Sequence, residues 1–108
     1  MLEKSDAVLD FTQAARAVHD RARGLHPWPG AETRVAGQRT KIHVTRVLER
    51  DGSHGAPGEL VRVSERGLEV ACGTGLVAIV EAQLEGKKRV RAAELANGLR
   101  LVAGTKLG

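Results

Sequence analysis

Four histidines, one cysteine and a Gly-Thr-Gly step are the residues of this 108-residue chain whose types could do chemistry. His19, His26, His43 and His54 fall on a predicted helix, a proline-rich corner, a strand and a loop, and no two stand at metal-ligand spacing. They read as surface residues. Cys72 ends an apolar stretch beside Gly73, which fits a small buried side chain better than a reactive thiol. Gly73-Thr74-Gly75 imitates part of a dinucleotide-binding loop. It lies between two predicted strands, so no helix N-terminus follows it to hold a phosphate, and it reads as a turn. No serine has an evident histidine and acid partner in local sequence, and no acid cluster suits general acid and base work. The expectation is a chain with no catalytic residue, no metal and no cofactor of its own.

The basic residues say more. Seventeen Lys and Arg against thirteen Asp and Glu give a formal charge of +4 and a pI near 9.8, which favours polyanionic partners. Arg34, Arg39, Lys41, Arg46 and Arg62 lie on predicted strands and turns, and Lys87, Lys88, Arg89 and Arg91 form the densest run. That run reads either as part of a phosphate-binding surface or as a solvated turn. Arg23, at a helix end, reads equally as a charge favourable to the helix dipole or as a phosphate contact. With one Trp, one Phe and no Tyr, the chain lacks the aromatic platforms on which unpaired bases stack.

The elements that must carry these residues follow from patterning. The length suits one domain with one modest core. The charged fraction of 28% and apolar fraction of 42% are those of a globular chain, and no run of about 18 apolar residues occurs to span a membrane. The first six residues carry acids and no apolar segment, so they do not read as a secretory signal, and the single cysteine fits a reducing compartment; cytoplasm is the expectation. Phe11, Ala15, Val18, Ala22 and Leu25 recur at helical spacing and predict an amphipathic helix over 12–23, with Thr12 as N-cap and Gly24 as stop. On its other face Arg16, His19, Asp20 and Arg23 are placed for solvated ion pairs.

From residue 31 the pattern becomes short strands between turn formers, predicted over 31–35, 41–47, 60–63, 68–72 and 76–84. In 41–47 Ile42 and Val44 share a face, but Val47 is apolar where alternation would put Arg46 inside, which predicts a β-bulge near Thr45 and Arg46. Residues 51–58 are loop, 65–67 and 73–75 tight hairpin connections, 92–97 a short helix stopped by Gly98, and 99–102 a possible last strand. The expected class is mainly β with some α content: a small OB-like Greek-key β-barrel preceded by an amphipathic helix, with one short late helix. An SH3-like barrel is the alternative.

Several separated motifs lie in this order. They are Leu9-Asp10-Phe11 before the helix, Arg23-Gly24-Leu25-His26-Pro27-Trp28-Pro29-Gly30-Ala31 after it, Lys41-Ile42-His43-Val44, and Ala56-Pro57-Gly58-Glu59-Leu60. Then come Gly67-Leu68-Glu69-Val70-Ala71-Cys72-Gly73-Thr74-Gly75, Gln83-Leu84-Glu85-Gly86-Lys87-Lys88-Arg89, and Leu95-Ala96-Asn97-Gly98. Together they resemble the C-terminal domain of the methionyl-tRNA formyltransferase family over nearly the whole chain. His26 departs from the asparagine commoner there. The resemblance implies one formyltransferase C-terminal-type domain over 1–108, with its barrel at about 31–108. It implies that the catalytic Asn, His and Asp belong to a Rossmann-like N-terminal domain absent from this chain. The implied function is accessory: a basic barrel face, with Arg23, Arg39, Lys41, Lys87, Lys88, Arg89 and Arg91 as candidates, holds the acceptor arm of initiator tRNA, mostly through phosphates. The implied partners are tRNA and that catalytic domain, and no membrane. Folate-linked formyl dehydrogenases and a sugar-nucleotide formyltransferase share such a domain, so a structural module that packs on its catalytic neighbour without RNA is the alternative.

Trp28, the only tryptophan, stands between Pro27 and Pro29. Each proline fixes its own φ and biases the residue before it toward extended geometry, so the corner loses little entropy on folding. Trp28 therefore reads as a rigid plug where helix meets barrel. Trp28→Ala is expected to lower stability by about 3–5 kcal/mol, the usual cost of truncating a core aromatic; a urea melt checks this, and unchanged stability with RNA binding lost would refute it.

Overall fold

A computed structural model describes residues 7–26 and 30–108. The expected plug of Pro27, Trp28 and Pro29 lies outside the described residues.

The helical periodicity is realised: Ala15, Val18, Ala22 and Leu25 are buried, and Phe11 joins them in the core. Helix α1 spans Ala15–Leu25, so it starts and ends later than the expected 12–23. Its start is displaced because Thr12 does not cap it. The Thr12 amide and hydroxyl both donate to Asp10 Oδ1, at 3.0 and 2.6 Å, and close a local turn that competes with helix. Those hydrogen bonds hold the Asp10 carboxyl below its ordinary range. Ala14 takes the N-cap position with no side-chain cap, and the Ala15 amide instead donates to the Thr74 carbonyl at 2.8 Å. At the other end Gly24 does not stop the helix, because Leu25 completes the buried stripe. His26 is the C-cap, and the chain returns at Gly30, whose amide donates to the Leu25 carbonyl at 2.8 Å.

Six antiparallel strands follow: β1 (Ala31–Val35), β2 (Gln38–Glu49), β3 (Leu60–Ser64), β4 (Gly67–Ala71), β5 (Leu76–Leu84) and β6 (Val90–Arg91), then helix α2 (Ala92–Leu99). The sheet order is β1-β2-β5-β4-β3, with β6 beside β5. The hairpins β3-β4-β5 return β5 to the side of β2, which is a Greek key. The domain is thus mainly β with two helices, as expected. Helix α1 packs on β1, β2 and β5, and α2 on β3, β4, β5 and β6.

The phase slip in β2 is present, beginning ahead of the expected Thr45 and reaching it. Thr40 and Ile42 are buried, then Thr45, and the register against β5 shifts on both sides of Val44. The irregularity runs from His43 to Thr45, with a further shift between Val47 and Glu49, while Thr45, Arg46 and Val47 keep one register. It takes Val44 out of step with Ile42, leaves Arg46 exposed and lets Val47 pack on the core.

The C-terminal segment departs most from expectation. Helix α2 continues through Gly98, and Arg100, with φ at +54°, is the left-handed residue that ends it. No strand forms over 99–102. Instead 104–108 runs between the two outer strands. Gly104 donates to the Leu60 carbonyl at 2.8 Å, Leu60 to Thr105 at 2.7 Å, Leu107 to Gly58 at 2.8 Å and Gly108 to Arg34 at 2.9 Å. The tail thereby ties the β3 side to β1 and covers edge groups that would otherwise template association.

The Gly73-Thr74-Gly75 turn is the meeting point of these parts. Gly73 donates to the Phe11 and Gln13 carbonyls at 2.8 and 2.9 Å, and Gly75 donates to the Gly52 carbonyl at 2.8 Å. A Cβ at Gly73 would run into the Thr12 carbonyl oxygen. One at Gly75, where φ is +84°, would meet the Glu49 and Arg50 carbonyls. The glycines are there for close backbone approach, which confirms the turn.

One charged side chain is buried in the sheet. Glu69 of β4, 1% exposed, accepts from Arg62 Nε at 2.8 Å and Ser64 Oγ at 2.6 Å across the β3-β4 hairpin. Burial pushes its carboxyl up, but the hydrogen bonds from Ser64 and Arg62 and the charges of Arg62 and Arg66 outweigh burial and hold it below the ordinary range.

Two outcomes follow. Gly73→Ala should destabilise the domain by about 2 kcal/mol or more, because backbone rather than a movable side chain blocks the methyl; the urea midpoint reads this. A carboxyl whose folded pKa is depressed contributes stability above its unfolded pKa and loses it as pH falls through the folded value. Glu69→Gln should thus cost about 1–2 kcal/mol at pH 7, with the difference from the unaltered domain closing as acid titrates Glu69; melts across acidic pH check the sign.

Candidate nucleic-acid interface

The seven basic residues expected to contact phosphate divide into two groups. Arg39 and Arg89 are engaged within the domain. Arg39 of β2 lies 2.6 Å from Glu32 of β1 through Nε, with a second hydrogen bond from Nη2 at 3.2 Å, and 3.5 Å from Glu85. The hydrogen bond and charge of Glu32 push the Arg39 guanidinium further up, so it stays charged and in place. Arg89 Nε lies 2.8 Å from Glu81 of β5. Arg62 is held by Glu69 as described, and the Arg16–Asp20 helix pair forms at 3.8 Å between exposed side chains. These carboxylates thus neutralise part of the positive charge.

Arg23, Lys41, Lys87, Lys88 and Arg91 are exposed and have no ion pair with a described residue. The fold draws them from three places. Arg23 is in the last turn of α1, where its charge also suits the helix dipole. Lys41 projects from β2 between the buried Thr40 and Ile42, and its register partners are Glu32 and Gln83. Lys87 and Lys88 lie in the turn that brings β6 back onto β5, and Arg91 of β6 is opposite Glu81.

Between these places lie residues that sequence reasoning missed. His43 Nε2 is 2.9 Å from Gln83 Oε1, His43 Nδ1 is 3.3 Å from His26 Nε2, and Gln83 Nε2 donates to the Lys87 carbonyl at 2.8 Å. The two imidazoles stand edge to face, with centroids 5.5 Å apart. Spacing of 17 residues carries no local signal for such a pair; the bulge in β2 and the end of α1 bring them together. The expectation of surface histidines also fails at His19, which is partly buried and shares a 2.6 Å hydrogen bond with Thr45. Burial, then the Arg23 charge, holds its imidazole below its ordinary range.

Cys72 is buried, and burial pushes its thiol up to about 11, so it packs rather than reacts. Among the described residues no group of three His, Cys, Asp or Glu is placed to hold a metal ion. No helix of the described residues is long and apolar enough to cross a membrane. Phe11, the one phenylalanine, is 5% exposed and offers no stacking surface. Among the described residues, exposed cations are present and no Phe, Tyr or Trp side chain is exposed beside them.

Comparison with known proteins agrees with this architecture. The sequence model of the family described as formyl transferase, C-terminal domain, matches residues 1–100. A methionyl-tRNA formyltransferase of Geobacter sulfurreducens is 44% identical over all of this chain, and one from Solibacter usitatus is also 44% identical. The chain spans about one third of the length of these relatives, 33% and 34%. Among solved structures, HypX from Aquifex aeolicus in complex with tetrahydrofolic acid superposes with a TM-score of 0.73, at 18% identity over 88% of this chain and 17% of HypX. A multiply substituted HypX variant gives 0.76, at 16% identity over 98% of this chain and 19% of HypX. That likeness is one of fold. With a family match over nearly its whole length and relatives above 40% identity, the chain belongs to the formyl transferase C-terminal domain family.

Proposed function

We propose that this domain is the accessory tRNA-binding part of a methionyl-tRNA formyltransferase, acting in the cytoplasm. It would hold the acceptor arm of initiator tRNA while a separate N-terminal domain carries out formyl transfer, so that this part needs no catalytic residue or cofactor. The observation that carries this reading is that five of the seven candidate cations, Arg23, Lys41, Lys87, Lys88 and Arg91, are exposed and form no ion pair with a described residue, in a chain whose relatives are methionyl-tRNA formyltransferases. Arg39 and Arg89 take a secondary part, because each would have to leave a carboxylate to meet a phosphate. Contacts of this kind give affinity without base readout and fall steeply with salt.

A second reading is that the domain packs on a catalytic neighbour and binds no RNA; in its favour, the chain spans only about one third of the length of its relatives, 33% in the Geobacter sulfurreducens enzyme. Fluorescence anisotropy of labelled initiator tRNA across a salt series, with an acidic polysaccharide as competitor, separates the two. Binding that survives the competitor is the expected result. Combined Lys87→Glu, Lys88→Glu and Arg91→Glu should weaken it at least about tenfold and flatten the log–log salt dependence by roughly 0.7–0.9 per lost phosphate contact. Absence of binding at low salt, or indifference to these charges, would favour the packing module.

A further inference from the structure

The hydrogen-bond chain from His26 to Lys87 has a fixed direction, set at one end. The Lys87 carbonyl can only accept, so the Gln83 amide must present its NH2 there and its oxygen to His43. His43 must then donate from Nε2, which makes Nδ1 of the neutral ring the acceptor and requires His26 to donate from Nε2. One main-chain acceptor thus orients three side chains, from the C-cap of α1, from β2 and from β5.

Lys87 is held at both of its backbone groups, since its amide also donates to the Leu84 carbonyl at 2.9 Å. Two residues earlier, Glu85 is tied by its amide to the Arg39 carbonyl at 3.0 Å. The lysine turn is therefore fixed to the sheet, and through Gln83 and His43 it is fixed to the end of α1, where Arg23 and His26 sit. Arg23 and Lys87, 64 positions apart, belong to one hydrogen-bonded frame.

Resting on the proposed RNA-binding role, we propose that Gln83 and His43 are positioning residues: they hold the Lys87–Lys88 turn in fixed relation to Arg23, so that cations from two separate elements meet an RNA backbone as one preorganised surface. Neither side chain need touch RNA. Their effect is to remove the ordering cost that a mobile lysine turn would incur on binding.

Gln83→Met keeps length and removes both hydrogen bonds. It is expected to weaken initiator tRNA binding by about 3- to 10-fold, the size of one net hydrogen bond, with the folded fraction and melting midpoint nearly unchanged. The deciding measurement is a mutant cycle with Lys87→Ala and Lys88→Ala combined. Because Gln83 acts through the turn that carries both lysines, Gln83→Met should add little once both are truncated; two fully additive losses would overturn the proposal. His43→Phe, which cannot orient the amide, should weaken binding in the same direction. Long-range nitrogen–proton spectra should show His43 protonated at Nε2 and bare at Nδ1, and the reverse tautomer would also overturn it. If the unaltered domain binds tRNA and the combined lysine truncation weakens it while Gln83→Met does not, the positioning role fails and RNA binding stands. If the unaltered domain does not bind tRNA, both fall together.

Discussion

The contact on which the other parts depend is the approach of the β4-β5 turn to the start of α1. Helices leave their first amides without internal partners, and here the side-chain cap is missing. The Thr74 carbonyl takes the Ala15 amide, while Gly73 returns two hydrogen bonds to the segment ahead of the helix. This exchange fixes where α1 lies over the sheet. The apolar stripe of α1 then covers β1, β2 and β5, and its last turn arrives beside the bulge in β2. Glycine is required at residue 73 because the backbones approach closer than a Cβ permits.

The second constraint is closure. A Greek-key sheet with β1 and β3 on its outside leaves unpaired backbone groups at both edges. The tail meets these with hydrogen bonds to Gly58, Leu60 and Arg34, and it can do so because Arg100 turns the chain out of α2 in the left-handed conformation. The polar content of the sheet is managed alike: Glu69 is buried with two donors already in place.

These constraints separate the cations into those that hold the domain and those that face solvent. Arg39, Arg62 and Arg89 bridge neighbouring strands through carboxylates. Arg23, Lys41, Lys87, Lys88 and Arg91 are left outward on helix end, strand, turn and short strand. The formal charge of +4 gives no hint of this partition, since the same sum follows from any pairing.

What the chain states locally was readable from its sequence. Residues spaced three and four apart share a helix face whatever surrounds them, so the buried stripe of α1 was fixed by Ala15, Val18, Ala22 and Leu25. Strand β5 and the hairpin turns around it followed from alternation and glycine, and the apolar Val47 betrayed the slip in β2. Motif order named the family. Tertiary structure alone decided what depends on partners distant in sequence. Thr12 lost the cap to Asp10 and the turn at Thr74 replaced it. The last strand gave way to a tail that spans two edges, and His26, His43 and Gln83 became neighbours across 57 residues. Periodicity encodes which face of an element is apolar; it does not encode which donors and acceptors meet once those faces are packed.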